Sequence, residues 1–147
     1  MEFDRRDIKM NKLVVTGLES KFHLFDLRTF NEKKGGFARL EHKVADNSTV
    51  WCVKHLPQNR DIFITSGGAG NLDLFRYKYP TNRVLKGKPD EGGDVGVVGT
   101  LERLQTANLA EQPISAFDWS PDKLGLCAFA GFDQRVRVAL VTRLDRY

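Results

Sequence analysis

Val50-Trp51-Cys52-Val53-Lys54-His55-Leu56-Pro57 lies, at a shift of 64 residues, over Ile114-Ser115-Ala116-Phe117-Asp118-Trp119-Ser120-Pro121 and ends on the same proline. The register continues without a gap. Phe63-Ile64-Thr65-Ser66 falls over Cys127-Ala128-Phe129-Ala130, and Leu72-Asp73-Leu74-Phe75 over Val136-Arg137-Val138-Ala139. A shift of 50 towards the start adds a third copy: Leu13-Val14-Val15-Thr16 matches Phe63 to Ser66, Phe22-His23-Leu24-Phe25 matches Leu72 to Phe75, and Phe3 falls opposite Val53. One unit is therefore present three times.

Each copy reads as a strand, a turn, a strand, a tight turn and a third strand. The first turns are Pro57-Gln58-Asn59 and Ser120-Pro121-Asp122; the second are Glu19-Ser20, Gly67-Gly68-Ala69-Gly70-Asn71 and Gly131-Phe132-Asp133. Alternation is clearest in the third strands, where Phe22/Leu24, Leu72/Leu74 and Val136/Val138 share one face, with Lys21/His23, Asn71/Asp73 and Arg135/Arg137 on the other. Fourth strands are predicted at Gly36 to Leu40 and at Val95 to Leu101. Four-stranded units that repeat in this way predict an all-β chain, a β-propeller fragment of about three blades over 1–40, 41–105 (with a long loop at 80–94) and 106–147. A sandwich would not require three ungapped copies of one pattern. Propellers have about four to eight blades, so three cannot close a ring. The first copy starts partway through its first strand and the last stops after its third. This predicts that Met1 marks an internal cut or a shortened gene model, that Tyr147 lies near a natural C-terminus, and that the open piece exposes blade faces and strand edges and is unstable or aggregates alone.

Of the 147 residues 41% are hydrophobic and 29% charged, enough apolar material for a core, with a net charge of +4. No apolar run is long enough to cross a bilayer and the start has no signal-type apolar region, so no membrane partner is expected. Residues 1–43 hold 10 basic and 7 acidic side chains, 44–105 hold 8 and 7, and 106–147 hold 5 and 5. The basic excess is spread thinly, and Lys86-Gly87-Lys88 is followed at once by Asp90, Glu91 and Asp94, which argues against a nucleic-acid footprint. Cys52 and Cys127 stand 75 positions apart in apolar segments and read as reduced, buried thiols.

Phe25-Asp26-Leu27-Arg28-Thr29 resembles the closing strand of WD-repeat (WD40) blades, and Phe117-Asp118-Trp119-Ser120-Pro121-Asp122 resembles their first strand and turn. No clear Gly-His precedes a blade, Phe75-Arg76 and Ala139-Leu140 stand where Trp-Asp is usual, and only Asp133 occupies the family's turn position. The usual buried His–Asp–Ser–Trp network is therefore not expected. Phe25, Asp26, Phe75, Pro57, Trp119, Pro121 and Asp133 are read as residues of the repeat itself. Nearly the whole chain is similar to the C-terminal part of the Monad-type WD-repeat family of dynein axonemal assembly factors. The resemblance is carried by Phe3 to Ile8, Met10 to Val14, Lys21 to Asp26, His55 to Arg60, Gly67 to Gly70 and Gln112 to Lys123.

The residues assemble no catalytic, cofactor or metal site. Ser66-Gly67-Gly68-Ala69-Gly70 leads into a strand rather than the helix a phosphate loop needs. His23, His42 and His55 have no carboxylate or cysteine at ligand spacing, and His55, aligned with Trp119, reads as a packing residue. Ser120 lacks a nucleophile elbow and sits in a turn, and Asp90-Glu91 reads as a solvated pair. Binding is what remains. Trp51 and Ser115 hold equivalent places at the start of first strands, preceded by Ser48 and Gln112; Trp51 is either an interface anchor or a residue packed between blades. The resemblance implies a non-catalytic cytoplasmic scaffold or co-chaperone for axonemal dynein heavy chains, working with RuvB-like ATPases, a TPR adaptor and prefoldin-like subunits. The alternatives are a generic WD-repeat adaptor in another complex and a metal-dependent propeller enzyme, which would need ligands converging from several first strands where this chain offers chiefly apolar residues, Lys54 and Asp118.

Overall fold

The computed structural model describes residues 1–4, 9–31, 35–44, 47–87 and 93–147. In chain order the strands are β1 (Glu2–Phe3), β2 (Lys12–Thr16), β3 (Lys21–Asn31), β4 (Gly36–Lys43), β5 (Val50–Leu56), β6 (Asn59–Gly67), β7 (Asn71–Lys78), β8 (Val84–Leu85), β9 (Val95–Gly96), β10 (Thr100–Asn108), β11 (Ile114–Trp119), β12 (Leu126–Gly131) and β13 (Val136–Leu140). They form antiparallel sheets in the orders β1-β2-β3-β4, β10-β7-β6-β5 and β11-β12-β13, with β8 and β9 as a separate pair. The result is all-β: an open series of propeller blades that does not close into a ring. Every first, second and third strand read from the repeat is present.

Because side chains alternate along a strand, directly paired residues share a face. In β6 and β7, Phe63 pairs with Phe75 and Ile64 with Leu74, so the phenylalanines face one neighbouring sheet and the aliphatic pair faces the other. Val14, Phe22 and Leu24 of the first sheet pack with Val53, Phe63 and Phe75; Ile62, Ile64, Leu72 and Leu74 pack with Ile114, Phe117, Trp119 and Phe129. The middle sheet is thus covered on both sides, which is why β7 is buried almost without interruption. Leu144, in a short 3-10 turn (Leu144–Arg146), closes the base of the second seam.

The first seam also carries charge. Lys12 is fully buried, and its ammonium donates to Asp61 Oδ1 at 2.8 Å and to the Tyr79 hydroxyl at 2.6 Å, and lies 3.3 Å from Asp4 Oδ2. Arg60 Nε donates to the same Asp4 oxygen at 2.9 Å. Burial opposes ionisation of Asp4, but the Lys12 charge and the bonds from Arg60 and the Asn11 amide outweigh it and hold the carboxyl below its ordinary range. Alongside, Arg28 grips Asp26 with Nε and Nη2 at 2.8 and 2.6 Å, and the Tyr77 hydroxyl donates to Asp26 at 3.1 Å.

The fourth strand of the middle sheet corrects the 95–101 expectation: it is Thr100–Asn108. Val95–Gly96 instead pairs with Val84–Leu85 and lies across the first sheet, where a Cβ on Gly96 would come within 3.2 Å of Thr29. Asn31 Nδ2 donates to Asp94 O at 2.5 Å, so the segment read as a plain loop straps one blade to the next. Glu102, Arg103, Gln105 and Thr106 make the true strand too polar to be legible as one. The Asp90-Glu91 pair and Lys88 lie outside the described residues.

Lys12→Ala is expected to lower stability by about 2–3 kcal/mol, because it takes one of two cations from buried Asp4, which keeps Arg60, and leaves the Tyr79 hydroxyl and Asp61 without their donor; the urea midpoint measures this. His42, packed 5.1 Å from both Phe22 and Phe75, is held below its ordinary 6.5 by burial and by the Arg103 charge. The unfolded chain then binds the extra proton, so this share of stability is complete above the unfolded value and is lost as pH falls below it. A His42→Phe variant should show a flatter urea midpoint than wild type as pH is lowered through 6.5.

Candidate partner-binding face

The segments that enter β5 and β11 cross the same end of the molecule as the turns joining second and third strands. Thr49 O accepts from the Gly68 amide at 2.8 Å, and Pro113 O accepts from the Phe132 amide at 2.9 Å. These bonds are equivalent under the 64-residue shift, so each blade fastens its entrance to its own turn. Thr49 Oγ1 also donates to Leu18 O at 3.1 Å, joining the second entrance to the first blade's turn. Leu109 and Ala110 donate to Gly70 O at 3.0 and 3.1 Å and seat the third entrance.

This backbone frame displays three large apolar side chains. Trp51 is 41% exposed and stands edge-on to Phe132, 54% exposed, with ring centroids 5.1 Å apart. Leu18 is 86% exposed, and a cleft of about 210 Å³ lies between Thr16-Gly17-Leu18 and Thr49-Val50-Trp51. Trp51 therefore spans the second and third blades while keeping much of its ring in solvent. Of the other residues read as contacts, Ser48 lies against Gly68 and Gln112 beside Gly70. Ser115 is half-buried, its hydroxyl donating to Ala130 O at 3.4 Å. The sequence reading passed over Leu18 and Phe132. Their signal was present: they are register mates of Gly68, large apolar residues where the middle copy has none.

The charges nearby are neutralised locally. Arg137 donates to Asp133 Oδ1 and Oδ2 at 3.1 and 2.5 Å and holds that carboxyl below its usual range. Lys21 does the same for Glu19 at 2.6 Å. Asp73, in the third strand of the middle blade, accepts from Asn71 Nδ2 at 2.6 Å and Thr106 Oγ1 at 2.5 Å. Burial pushes both thiols, Cys52 and Cys127, above their ordinary value. Among the described residues no three His, Cys, Asp or Glu side chains converge, and no helix is long and apolar enough to cross a membrane. The arrangement offers contact surface: aromatic and aliphatic anchors on a rigid frame.

No protein-family model matches the chain. It is 58% identical over 146 residues to the dynein axonemal assembly factor 10 of Xenopus laevis, covering 99% of this chain and 40% of the relative. The human protein of that name is 56% identical and that of Chlamydomonas reinhardtii 50%, each over 99% of this chain and 40% of its own length. The chain is a homologue of these proteins along almost its whole extent and spans about 40% of the length of the curated relatives it matches.

Gly70 sits at φ +79° with Ala110 O only 1.9 Å from where a Cβ would be, whereas Gly93, at φ +74°, has open space around it. Gly70→Ala is expected to cost about 2–3 kcal/mol and Gly93→Ala about 1; paired urea titrations measure the difference.

Proposed function

We propose that this chain is a non-catalytic WD-repeat scaffold that works by protein–protein contact in the cytoplasmic assembly and stability of axonemal dynein heavy chains. The observation that carries the reading is 50–58% identity over 99% of the chain to proteins named for axonemal dynein assembly. The partners, by the family resemblance, are dynein heavy chains, RuvB-like ATPases, a TPR adaptor and prefoldin-like subunits. The contact surface in this reading is the Trp51–Phe132 ridge with Leu18, flanked by Ser48, Gln112 and Ser115. It supports the reading because rigid aromatic side chains, exposed on a backbone fixed by hydrogen bonds, lose little conformational freedom when a partner covers them.

Affinity purification of the protein from cells building cilia should recover dynein heavy chains together with RuvB-like ATPases. Trp51→Ala combined with Phe132→Ala should reduce that recovery at least about tenfold, the loss of roughly one anchor residue, with an unchanged circular dichroism spectrum. Recovery of coat or ubiquitin-ligase subunits, without dynein chains or RuvB-like ATPases, overturns this reading in favour of a generic adaptor.

A further inference from the structure

We infer that the cleft between the Leu18 turn and Trp51 receives one uncharged aromatic side chain from an apolar segment of a partner protein. The inference rests on the partner-binding reading above and names what that face takes. It starts from a break in alternation. Val50 and Val53 are an odd number of residues apart, yet both lie in the first seam, which a regular strand forbids because successive side chains point to opposite faces. The pairing explains it: Val50 is opposite Gly67 and Cys52 opposite Ser66, so Trp51 has no counterpart in β6. A bulge of this kind re-aims the extra side chain. Trp51 is turned out of both seams and stands 41% exposed on the rim where strand entrances meet turns. The third blade is bulged at the equivalent place, with Ile114 opposite Gly131 and Ala116 opposite Ala130, but there the extra residue is Ser115. The middle copy puts a large ring on this device, and a cleft adjoins it.

Thr16, Gly17, Leu18, Thr49, Val50 and Trp51 line the cleft, and its shape is set before any partner arrives. Thr49 Oγ1 donates to Leu18 O across it, while Thr49 O is held by the Gly68 amide. Its volume of about 210 Å³ suits one ring, since an apolar cavity of about 150 Å³ holds benzene. Charge selects the rest. None of the six lining residues is ionisable, and at the same rim Glu19 is paired with Lys21 and Asp133 with Arg137. A charged side chain carried into the cleft loses its water and gains no counter-ion. A neutral ring loses no such hydration and packs against the indole of Trp51. The residues beside it pass over Leu18 and Phe132, which are 86% and 54% exposed, and are apolar for the same reason.

The probe is a short glycine-serine peptide carrying one phenylalanine, titrated into the isotope-labelled full chain and followed by amide and indole NMR signals. The Trp51 indole and the Gly17 and Leu18 amides should shift together. The Trp119 indole, which donates to Lys54 O at 3.2 Å inside the second seam, should stay still and serves as the internal control. Replacing the phenylalanine by alanine or by lysine should weaken binding at least about tenfold, the factor that burying one ring supplies. On the protein, Leu18→Ala should weaken it by a similar factor, and so should Gly17→Leu. Gly17 lies outside the left-handed region and a Cβ there meets nothing within 4 Å, so Gly17→Leu takes up cleft space without disturbing the fold. Binding undiminished by Gly17→Leu, equal binding of the lysine peptide, or no movement of the Trp51 signal at millimolar peptide overturns the inference. A Trp51 signal that moves with protein concentration alone means that a second copy fills the cleft, and overturns it too. Peptide binding in the cleft without recovery of dynein chains from cells overturns the assembly role and keeps this inference. Dynein recovery left undiminished by Gly17→Leu does the reverse.

Discussion

The contact between Phe22 and the stacked pair of Phe63 and Phe75, with His42 lying 5.1 Å from Phe22 and from Phe75, holds the first two sheets face to face. A single blade has two apolar faces and no way to cover either. Fully burying one such side chain is worth about 1.5–3 kcal/mol, so each sheet draws its stability from its neighbours rather than from its own hydrogen-bond ladder. The middle sheet gains twice. Its strands β6 and β7 are the most continuously buried of the chain, whereas each outer sheet has one neighbour among the described residues and is buried on that side, leaving apolar residues such as Phe3, Val136 and Val138 exposed on the other.

Apolar packing is non-directional and would let one sheet slide over the next. Directional bonds in the seams fix the angle. Lys12 reaches from the first sheet to Asp61 and Tyr79 of the second, Arg60 reaches back to Asp4, and the Tyr77 hydroxyl couples Asp26 to the Gly99 amide. Cations and carboxylates match in this group, Lys12, Arg28 and Arg60 against Asp4, Asp26 and Asp61, so no net charge is buried. The second seam reaches the same end with neutral bonds: Trp119 Nε1 donates to Lys54 O at 3.2 Å and Ser66 Oγ to Ile114 O at 2.8 Å. His55, register mate of Trp119, packs on Phe63, and its backbone amide donates to Glu2 Oε2 at 2.5 Å. One position in the repeat therefore meets the preceding blade by different chemistry in successive copies.

The architecture was legible because it is written three times. Period-two alternation alone would leave Val136 and Val138 as one more strand; alignment with Phe22/Leu24 and Leu72/Leu74 identifies their face and says what ought to cover it. What a repeat cannot show is whatever occurs once. The 80–99 segment has no counterpart in the other copies, so neither its fold across Thr29 and Ala38 nor the displacement of the fourth strand to Thr100–Asn108 could be read from register. Lys12 was also invisible, since a lysine inside a strand normally signals the solvent face, and its three partners are separated from it by 8, 49 and 67 positions. Of the two exposed aromatics on this rim, Trp51 was legible in the sequence as an aromatic at a strand start; Phe132 was passed over because a turn residue draws attention to backbone conformation.

The places where the copies differ are not scattered. Most seam positions keep their apolar character in every copy, such as Phe22/Leu72, Leu24/Leu74 and Val53/Phe117, and where they depart from it, as at Lys12 for Ile62 and His55 for Trp119, the polar side chain is buried as fully as the apolar one it replaces. The turn positions Leu18, Gly68 and Phe132 and the strand starts Trp51 and Ser115 differ in size and polarity, yet their backbone bonds are retained: Thr49 and Pro113 make the same contact to residues as unlike as glycine and phenylalanine. A side chain whose main chain is fixed and whose own contacts serve no seam is free to be chosen for something outside the chain. All of these positions fall at the end where the strand entrances meet the turns. That separation, packing in the seams and variety on one rim, lets a repeated unit present a surface that is not itself repeated.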